Sequence, residues 1–372
     1  MSAPAPAVRA RLDRTCIVMM SAVGDVVHVL PVLTALKRHH PAARVTWVLQ
    51  PGPASLVRGH PDVDEILLFD RAGGMTSFRA IREQLATRRF DLCINLQVYF
   101  KAGVITRFVK APVRLGFDRA RARDLNWLFT NAQVPPHPMQ HVQDQYLEFL
   151  DALGIPRGEP TWHLGPWPHE RAEQAARLRG FDRPIVPIVV ATSKAEKDWL
   201  PERWAEVCDA LHGDFGVQPV LVGGRSAREL AAERTILARA KVPVVSALGS
   251  GLRGLVQLID GATLVLSPDT GPLHITVALD RPVVSLIAYS NPKRVGPWRR
   301  FHDLMLDAYG DPGEDYPIGM ENRPGRMPRI TVAEVLGKVE HWSRAYRARY
   351  GDRSAGAMAA LGGAGAGADA PR

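Results

Sequence analysis

The segment SPDTGPLHITVALD joins an apolar run to a helix-forming run through a tight turn. Asp269 or Thr270 can cap that helix, and Pro272 suits its first turn. The backbone N–H groups around Thr270 and Gly271 would then face outward with the helix dipole behind them, which favours a diphosphate ligand. His274 follows within one turn. The segment predicts a phosphate site, although an ordinary N-capped helix would have the same residues.

A second polar segment, ATSKAEKDWLPERW, follows another apolar run. Thr192 and Ser193 supply hydroxyl groups, and Lys194 and Lys197 supply positive charge, all at one predicted strand end. Hydroxyl donors and ammonium groups suit phosphate oxygens. If the two segments lie at the same edge of a sheet, they hold a nucleotide diphosphate from two sides.

A third segment, VGGRSARELAAE, also follows an apolar run. Gly223 and Gly224 allow a sharp exit from the strand, and Glu229 lies near the start of the next helix. Its carboxylate could accept hydrogen bonds from a ribose diol, or it could stabilise the N-terminus of that helix. The residues alone leave both roles open.

Near the start of the chain, SAVGDVVHVLPVL places Asp25 at the beginning of a helix that follows the first predicted strand. A carboxylate in that position could take the proton from a hydroxyl group that attacks the anomeric carbon of a sugar. It could equally be a helix cap. The residue types favour neither role over the other.

Basic residues are concentrated between positions 101 and 123, where Asp118 is the one acid. The chain as a whole carries a net charge of +9. This charge indicates a polyanionic partner or an anionic surface, and a solvated surface is the alternative. No nucleic-acid module is visible, so a nucleic-acid partner is not expected. The seven basic residues are Lys101, Arg107, Lys110, Arg114, Arg119, Arg121 and Arg123.

Short β-branched runs alternate with helical patterns in both halves of the chain, which predicts parallel sheets covered by helices. In the first half we expect strands at 16–20, 45–49, 65–69, 92–96 and 113–117, with helices at 26–40, 76–88 and 141–153. In the second half we expect strands at 185–191, 219–222, 243–247, 264–266 and 283–287, with helices at 201–212, 227–240, 252–260 and 271–279. All four polar segments then follow strands, where open α/β sheets bind ligands.

A chain of 372 residues exceeds what one core usually serves, so two domains are expected. Pro and Gly crowd the linker at 154–168. The predicted division is a first domain at 14–160, a second at 161–330 and a C-terminal helix at 331–348, with disordered segments at 1–13 and 349–372. Two such domains predict a cleft between them.

Several classes of protein are not expected. The longest apolar runs hold about seven residues, against about 20 for a membrane span, and no secretory signal is visible, so we expect a cytoplasmic protein. Three separated cysteines without a CxxC motif indicate buried thiols. The chain has no Walker A loop, no G-x-G-x-x-G after its first strand and no cluster with metal-ligand spacing, so no metal site is predicted.

Over roughly residues 14–345, the chain resembles glycosyltransferase family 9, the ADP-heptose:lipopolysaccharide heptosyltransferases. SAVGDVVHVLPVLTAL is similar to the start of heptosyltransferase I, and ATSKAEKDW is similar to the family's Thr-Thr-x-x-x-Lys-x-Trp loop. SPDTGPLHITVALDRPVVSL resembles its Asp-Thr-Gly-x-x-His phosphate-binding helix. Gln50-Pro51-Gly52 and the segment 95–100 depart from the family pattern, and both would line the acceptor side.

The resemblance implies a GT-B fold, with two Rossmann-like domains facing each other across a cleft, and an inverting single displacement. In this scheme Asp25 is the catalytic base. The implied donor ligands are Thr192, Ser193, Lys197, Glu229, Asp269, Thr270, Gly271, Pro272 and His274. The implied acceptor ligands are Lys101, Arg119, Arg121 and Arg123. No cofactor is implied, apart from a weak stimulation by Mg²⁺.

The implied reaction is transfer of L-glycero-D-manno-heptose from ADP-heptose to the Kdo region of the lipopolysaccharide inner core. The implied partners are this nucleotide sugar and an acidic lipid A-Kdo acceptor. The protein is expected to be a monomer in peripheral contact with the cytoplasmic face of the inner membrane. A different nucleotide sugar or acceptor is the alternative within the family. A non-catalytic nucleotide-binding protein of two domains is the alternative outside enzymes.

Overall fold

The protein is described by a computed structural model that covers residues 8–351. It divides into two compact units, with unit 1 ending at Leu164 and unit 2 beginning at Gly165. The sequence placed this boundary at 160. Residues 1–7 and 352–372, most of the two segments predicted to be disordered, lie outside the described residues.

The described parts of those two segments are attached to the fold, which corrects the prediction for them. The backbone N–H of Val8 donates to the carbonyl oxygen of Ala152 at 2.8 Å. At the other end, Tyr350 is buried and its hydroxyl donates to Asp280 Oδ1 at 3.2 Å. The composition of these segments predicted disorder because it does not indicate single tertiary hydrogen bonds.

Unit 1 contains a six-stranded sheet whose neighbouring strands are all parallel, in the order β3-β2-β1-β4-β5-β6. Its strands β1 to β6 are Arg14–Val18, Arg44–Leu49, Glu65–Leu68, Leu92–Asn95, Val113–Gly116 and Ala132–Gln133. Its helices α1 to α5 are Val23–His39, Pro51–Val57, Gly74–Ala86, Phe100–Phe108 and Val142–Ala152.

Unit 2 contains a second six-stranded parallel sheet, in the order β12-β11-β10-β7-β8-β9. Its strands β7 to β12 are Ile185–Val189, Gln218–Val222, Val245–Ser246, Val265–Pro268, Val283–Ile287 and Met305–Asp307. Its helices α6 to α12 are Arg171–Leu178, Pro201–Gly213, Ala227–Arg239, Gly251–Asp260, Gly271–Ala278, Pro292–Val295 and Val332–Ala345.

The two sheets have the same topology when each is counted from its own first strand. β1 and β4 are neighbours at the centre of one sheet, as β7 and β10 are in the other. In each unit the strand order reverses there, and α/β proteins bind ligands beyond the carboxyl ends of such strands. The loops that matter are therefore those after β1, β4, β7 and β10.

The cores explain why these runs become strands. Val18, Val189 and Val265 are fully or almost fully buried, as expected for strands covered on both faces. Helix α1 is buried continuously from Val26 to Leu36, so it lies deep in unit 1, where it packs against α5. The prediction of two α/β halves with parallel sheets is confirmed.

The thiols are buried, as the sequence indicated. Cys16 on β1 lies opposite Cys93 on β4, and Cys208 lies on α7; all three are free. Burial raises the pKa of the Cys208 thiol to about 12. These residues fill core positions.

Candidate functional site

In unit 2, the loops after β7 and β10 meet through an ion pair between two predicted site residues. Lys197 Nζ lies 2.5 Å from Asp269 Oδ2 and 3.5 Å from the Asp269 carbonyl oxygen. The half-buried ring of Tyr289 lies beside the same loop, 5.3 Å from Lys194 Nζ and 5.9 Å from Lys197 Nζ. The two predicted phosphate segments therefore form one site, and Tyr289 is an aromatic member that the sequence did not indicate.

Helix α10 presents its N-terminus at this site. Thr270 is the N-cap residue, with extended backbone and no side-chain hydrogen bond to the helix, and Pro272 lies in the first turn. The predicted cap by Thr270 is therefore not formed. The first-turn N–H groups, including that of Gly271, keep their capacity for an anionic ligand. His274 is buried, with Nε2 at 4.0 Å from Asp269 Oδ1.

The loop after β7 is held in shape by Asp198 and Arg228, which the sequence pattern did not indicate. Asp198 Oδ1 accepts from the Thr192 N–H at 2.6 Å and lies 2.9 Å from the Thr192 hydroxyl. Arg228 donates to the Thr192 carbonyl oxygen at 2.6 Å and lies 3.3 Å from Asp198. Burial raises the pKa of Asp198 above its ordinary value. Thr192 is thus engaged within the loop, whereas Ser193 is exposed.

Glu229 closes the start of helix α8. Its carboxylate accepts from the N–H groups of Gly224 at 2.5 Å and Ser226 at 2.8 Å, and its own N–H donates to Ser226 Oγ at 3.3 Å. Burial alone would raise the pKa of Glu229, but hydrogen bonds from Ser226 and Gly224 bring it below its ordinary value. A Cβ at Gly224 would lie 2.9 Å from Glu229 Oε2, so a larger residue there would displace this carboxylate. The capping role is realised, and a ribose contact would be additional.

In unit 1, Asp25 lies in the first turn of α1 and is half-buried. Its Oδ2 accepts from the Ala22 N–H at 2.9 Å, and its Oδ1 accepts from the Tyr146 hydroxyl at 3.0 Å. Tyr146 lies on α5, far away in sequence, and no local pattern indicated this contact. The capping role of Asp25 is formed.

A cavity of about 420 Å³ opens at the carboxyl ends of β1 to β4 in unit 1. Its floor is an amide network in which Gln97 Nε2 donates to the Ser21 carbonyl oxygen at 2.7 Å and Gln97 Oε1 accepts from Met20 N–H at 3.1 Å. Gln50 adds a contact to Ser21 Oγ at 3.3 Å. Its other lining residues are Phe69, Arg71, Tyr99, Phe100, Lys101, Ala102 and Asp124.

Three of the four predicted acceptor ligands are exposed. Lys101 is exposed on α4 and lines this cavity, while Arg119 and Arg123 are exposed in the loop after β5. Arg119 lies over the Trp127 ring, 4.5 Å from its centroid.

Arg121 does not fit the predicted acceptor role. It is buried, with Nε at 2.5 Å from Asp118 Oδ2 and Nη1 at 2.6 Å from Glu148 Oε2. Because two buried carboxylates already engage its guanidinium, Arg121 serves the internal structure of unit 1. We leave it out of the acceptor site.

Between residues 8 and 351, no group of three or more His, Cys, Asp or Glu side chains is placed to hold a metal ion. Over the same range, no helix has both the length and the apolar character of a membrane span.

Comparison with known proteins adds a family to this geometry. The sequence model of glycosyltransferase family 9 (heptosyltransferase) matches residues 78–310. The lipopolysaccharide core heptosyltransferase OpsX of Haemophilus influenzae is 30% identical over 334 residues, which cover 87% of this chain and 95% of that protein. Lipopolysaccharide heptosyltransferase 1 of Escherichia coli K12 is 28% identical over 301 residues, covering 76% and 90%.

The fold has solved counterparts. The structure of E. coli heptosyltransferase WaaC with ADP matches with a TM-score of 0.69 and 25% identity, covering 90% of this chain and 99% of that one. The predicted GT-B architecture is thereby confirmed as the fold class.

Proposed function

Because the chain belongs to glycosyltransferase family 9, we propose that it transfers heptose from ADP-L-glycero-D-manno-heptose to the Kdo region of the lipopolysaccharide inner core. The chain is a glycosyltransferase by this membership. Two relatives named as lipopolysaccharide heptosyltransferases support the heptose and the acceptor class. ADP bound to WaaC supports the nucleotide.

The main support for the proposal is the ion pair between Lys197 and Asp269, which lies beside the N-terminus of α10. No side chain caps that N-terminus. When a nucleotide sugar reacts, the nucleoside diphosphate is the leaving group, so negative charge grows on its phosphate oxygens as the bond to the sugar breaks. The Lys197 ammonium group and the α10 N–H groups are fixed before the reaction and would stabilise that charge. Ser193, exposed on the same loop, is free to donate a further hydrogen bond.

Asp25 is the proposed general base. In the reaction, its carboxylate takes the proton of the acceptor hydroxyl while the hydroxyl oxygen forms a bond to the anomeric carbon. The bond from that carbon to the diphosphate breaks, and ADP departs with the electron pair. Attack opposite to the leaving group inverts the anomeric configuration. Tyr146 and the Ala22 N–H hold the carboxylate in one orientation for this step.

The cavity in unit 1 is the proposed acceptor site. Its volume of about 420 Å³ lies within the range of ligand pockets. Tyr99 and Phe100 are each about half exposed there and offer apolar faces to sugar rings. Lys101 and Arg71 supply positive charge for an acidic sugar such as Kdo. Gln50 and Gln97, which depart from the family pattern, would set the details of acceptor choice.

The test is incubation of the purified full chain with ADP-heptose and Kdo-containing core that lacks heptose, with the product detected by mass spectrometry. We expect a mass increase of one heptose, retained in EDTA and only modestly increased by Mg²⁺. The matched control is Asp25→Asn, which keeps the shape of the side chain. General bases contribute about 10²- to 10⁴-fold, so this variant should lose at least about 100-fold in rate.

The outcomes separate the alternatives. Product from another nucleotide sugar, with none from ADP-heptose, would replace the donor assignment within the family. Tight binding of ADP without product from any sugar donor would indicate a nucleotide-binding protein that has lost catalysis. Full activity of Asp25→Asn would refute the assignment of the base.

A further inference from the structure

A second pocket lies in unit 1 at the amino ends of the strands. It encloses about 390 Å³, and the residues that line it are Arg14, Arg44, Thr46, Asp64, Glu65, Arg88, Arg89 and Phe90. Arg14 and Arg44 begin β1 and β2, whereas Asp25 follows the end of β1. A strand rises about 3.3 Å per residue, so the first and last residues of β1 lie about 13 Å apart, at opposite edges of the sheet.

The charges in this second pocket do not balance. Glu65 pairs with Arg88 at 2.5 Å, and Asp64 pairs at 2.7 Å with Lys37, which does not line the pocket. Outside the lining, Asp91 pairs with Arg14 at 3.2 Å. Each nearby carboxylate therefore already has a cation.

Two arginines remain. Arg44 and Arg89 are exposed, and within residues 8–351 neither has a carboxylate within ion-pair distance. The positive charge of Arg44 acts on Asp64 and Glu65 without forming a salt bridge with either. Two guanidinium groups that form no salt bridge at one concave site attract an anion, and their planar donors match the oxygens of phosphate. Phe90 closes the pocket on its apolar side.

We propose that this pocket binds a phosphate-bearing anion at a site separate from the reaction, with Arg44 and Arg89 as its principal ligands. The ligand is a small phosphate or diphosphate group, because the pocket is concave and of limited volume. Such a group could come from a soluble phosphate compound or from the headgroup of an anionic lipid. In the second case, the pocket would fix how unit 1 meets a membrane surface.

The test uses the full chain and inorganic pyrophosphate in calorimetric titration at constant ionic strength. Saturating ADP blocks the proposed donor site. The titration is repeated without ADP in the Lys197→Ala variant, in which the donor site is weakened by the substitution. We expect binding to the wild type, weakened at least tenfold in the double variant Arg44→Gln/Arg89→Gln. The matched control is Arg58→Gln/Arg79→Gln, which removes the same charge from exposed positions of unit 1 outside the pocket.

A parallel sedimentation assay uses vesicles of phosphatidylethanolamine and phosphatidylglycerol at 7:3, with phosphatidylcholine vesicles as the neutral reference. If binding to the anionic vesicles falls in the pocket pair and not in the control pair, the lipid headgroup is the source. If only pyrophosphate binding falls, the source is soluble phosphate. Equal pyrophosphate affinity in the wild type and the pocket pair, equal losses in both pairs, or no pyrophosphate binding by the wild type would overturn the proposal.

Discussion

At the residue scale, the orientation of Asp25 depends on a side chain from another helix. The Tyr146 hydroxyl and the Ala22 N–H engage different oxygens of the carboxylate, so the side chain cannot rotate without losing a hydrogen bond. A base that must meet a hydroxyl in one direction benefits from such fixation. Tyr146 is therefore a positioning residue in the proposed reaction.

Tyr146→Phe should lower kcat about tenfold, because one hydrogen bond to a charged group is worth about 1.5 kcal/mol. The KM for the donor should change little, because Tyr146 lies in unit 1, outside the proposed donor site. Steady-state kinetics checks this split. The control is Tyr350→Phe, which removes a hydroxyl bonded to Asp280 in unit 2 and should leave kcat unchanged. Unchanged kcat in Tyr146→Phe would remove the positioning role.

Lys197→Ala should lower kcat/KM for the donor by roughly 10- to 150-fold, the equivalent of about 1.5 to 3 kcal/mol for a charge-assisted contact. The loss has two sources, because the variant removes a cation from the diphosphate and leaves the carboxylate of Asp269 without its partner. Initial rates at varied donor concentration measure it. Lys194→Ala, which removes an exposed ammonium group from the same loop, is the control and should lose much less. Wild-type kinetics in Lys197→Ala would refute the role.

Site residues that belong to a local sequence motif were predicted. Site residues that reach the site only through the tertiary fold were missed. Lys197 and Asp269 were both selected from their loops, and the fold pairs them. Tyr146 and Arg228 reach their partners from other helices, so neither residue spacing nor composition indicated these contacts. Arg121 was chosen for its charge, which cannot reveal that buried carboxylates already engage it.

At the element scale, the first turn of helix α8 contains a side chain, Glu229, that caps the helix and is also the proposed ribose ligand. Glu229 and Ser226 form a reciprocal capping box, and the Glu229 carboxylate also binds the preceding loop through Gly224. Loss of either side chain should weaken the start of the helix. Only loss of Glu229 should affect a ribose diol.

Ser226→Ala should therefore lower the free energy of unfolding by about 0.5 to 2 kcal/mol, the usual cost of a lost cap, and leave the KM for the donor unchanged. Glu229→Ala should lower stability by a similar amount and also raise that KM. Urea unfolding and donor kinetics on the two variants check the pair. If the KM is unchanged in Glu229→Ala, the residue is a cap and no ribose ligand.

The helices and strands that were predicted are those whose apolar residues follow a clear strand or helix pattern. The β-branched runs of β2, β7 and β11 are buried on both faces, and such runs predict central strands. Helix α4 was missed because Val104, Ile105 and Thr106 lower its helix propensity, although its buried face stabilises it. Helix α2 was missed because its prolines read as a turn, while Pro51 in fact begins the helix.

At the scale of the whole molecule, many carboxylates are bound to cations or N–H groups. The pKa of Glu314 falls to about 2, chiefly through its hydrogen bond from Arg323. Within residues 8–351, the pKa also lies below its ordinary value for Asp13, Asp64, Glu65, Asp91, Glu170, Glu229, Asp303 and Asp311. Asp198 acts in the opposite sense, because burial raises its pKa.

A lowered pKa means that the folded chain binds fewer protons than the unfolded chain as pH falls through this range. The stabilisation is therefore complete above about pH 5 and is lost progressively as pH falls toward 2. The urea midpoint should be nearly constant from pH 7 to 5 and should fall steadily below about pH 4.5. Glu314→Gln should make that fall shallower. A midpoint that rises on acidification would contradict this account.

Within the described residues, the chain passes from unit 1 to unit 2 once, between Leu164 and Gly165. Asp25 and the larger cavity lie before that point, and the residues proposed to hold the nucleotide lie after it. The proposed acceptor site and the proposed donor site therefore lie in two consecutive segments of the chain. Recombination at this one junction could exchange either half between family members. A hybrid enzyme made in this way would have a new acceptor site and keep the proposed donor site unchanged.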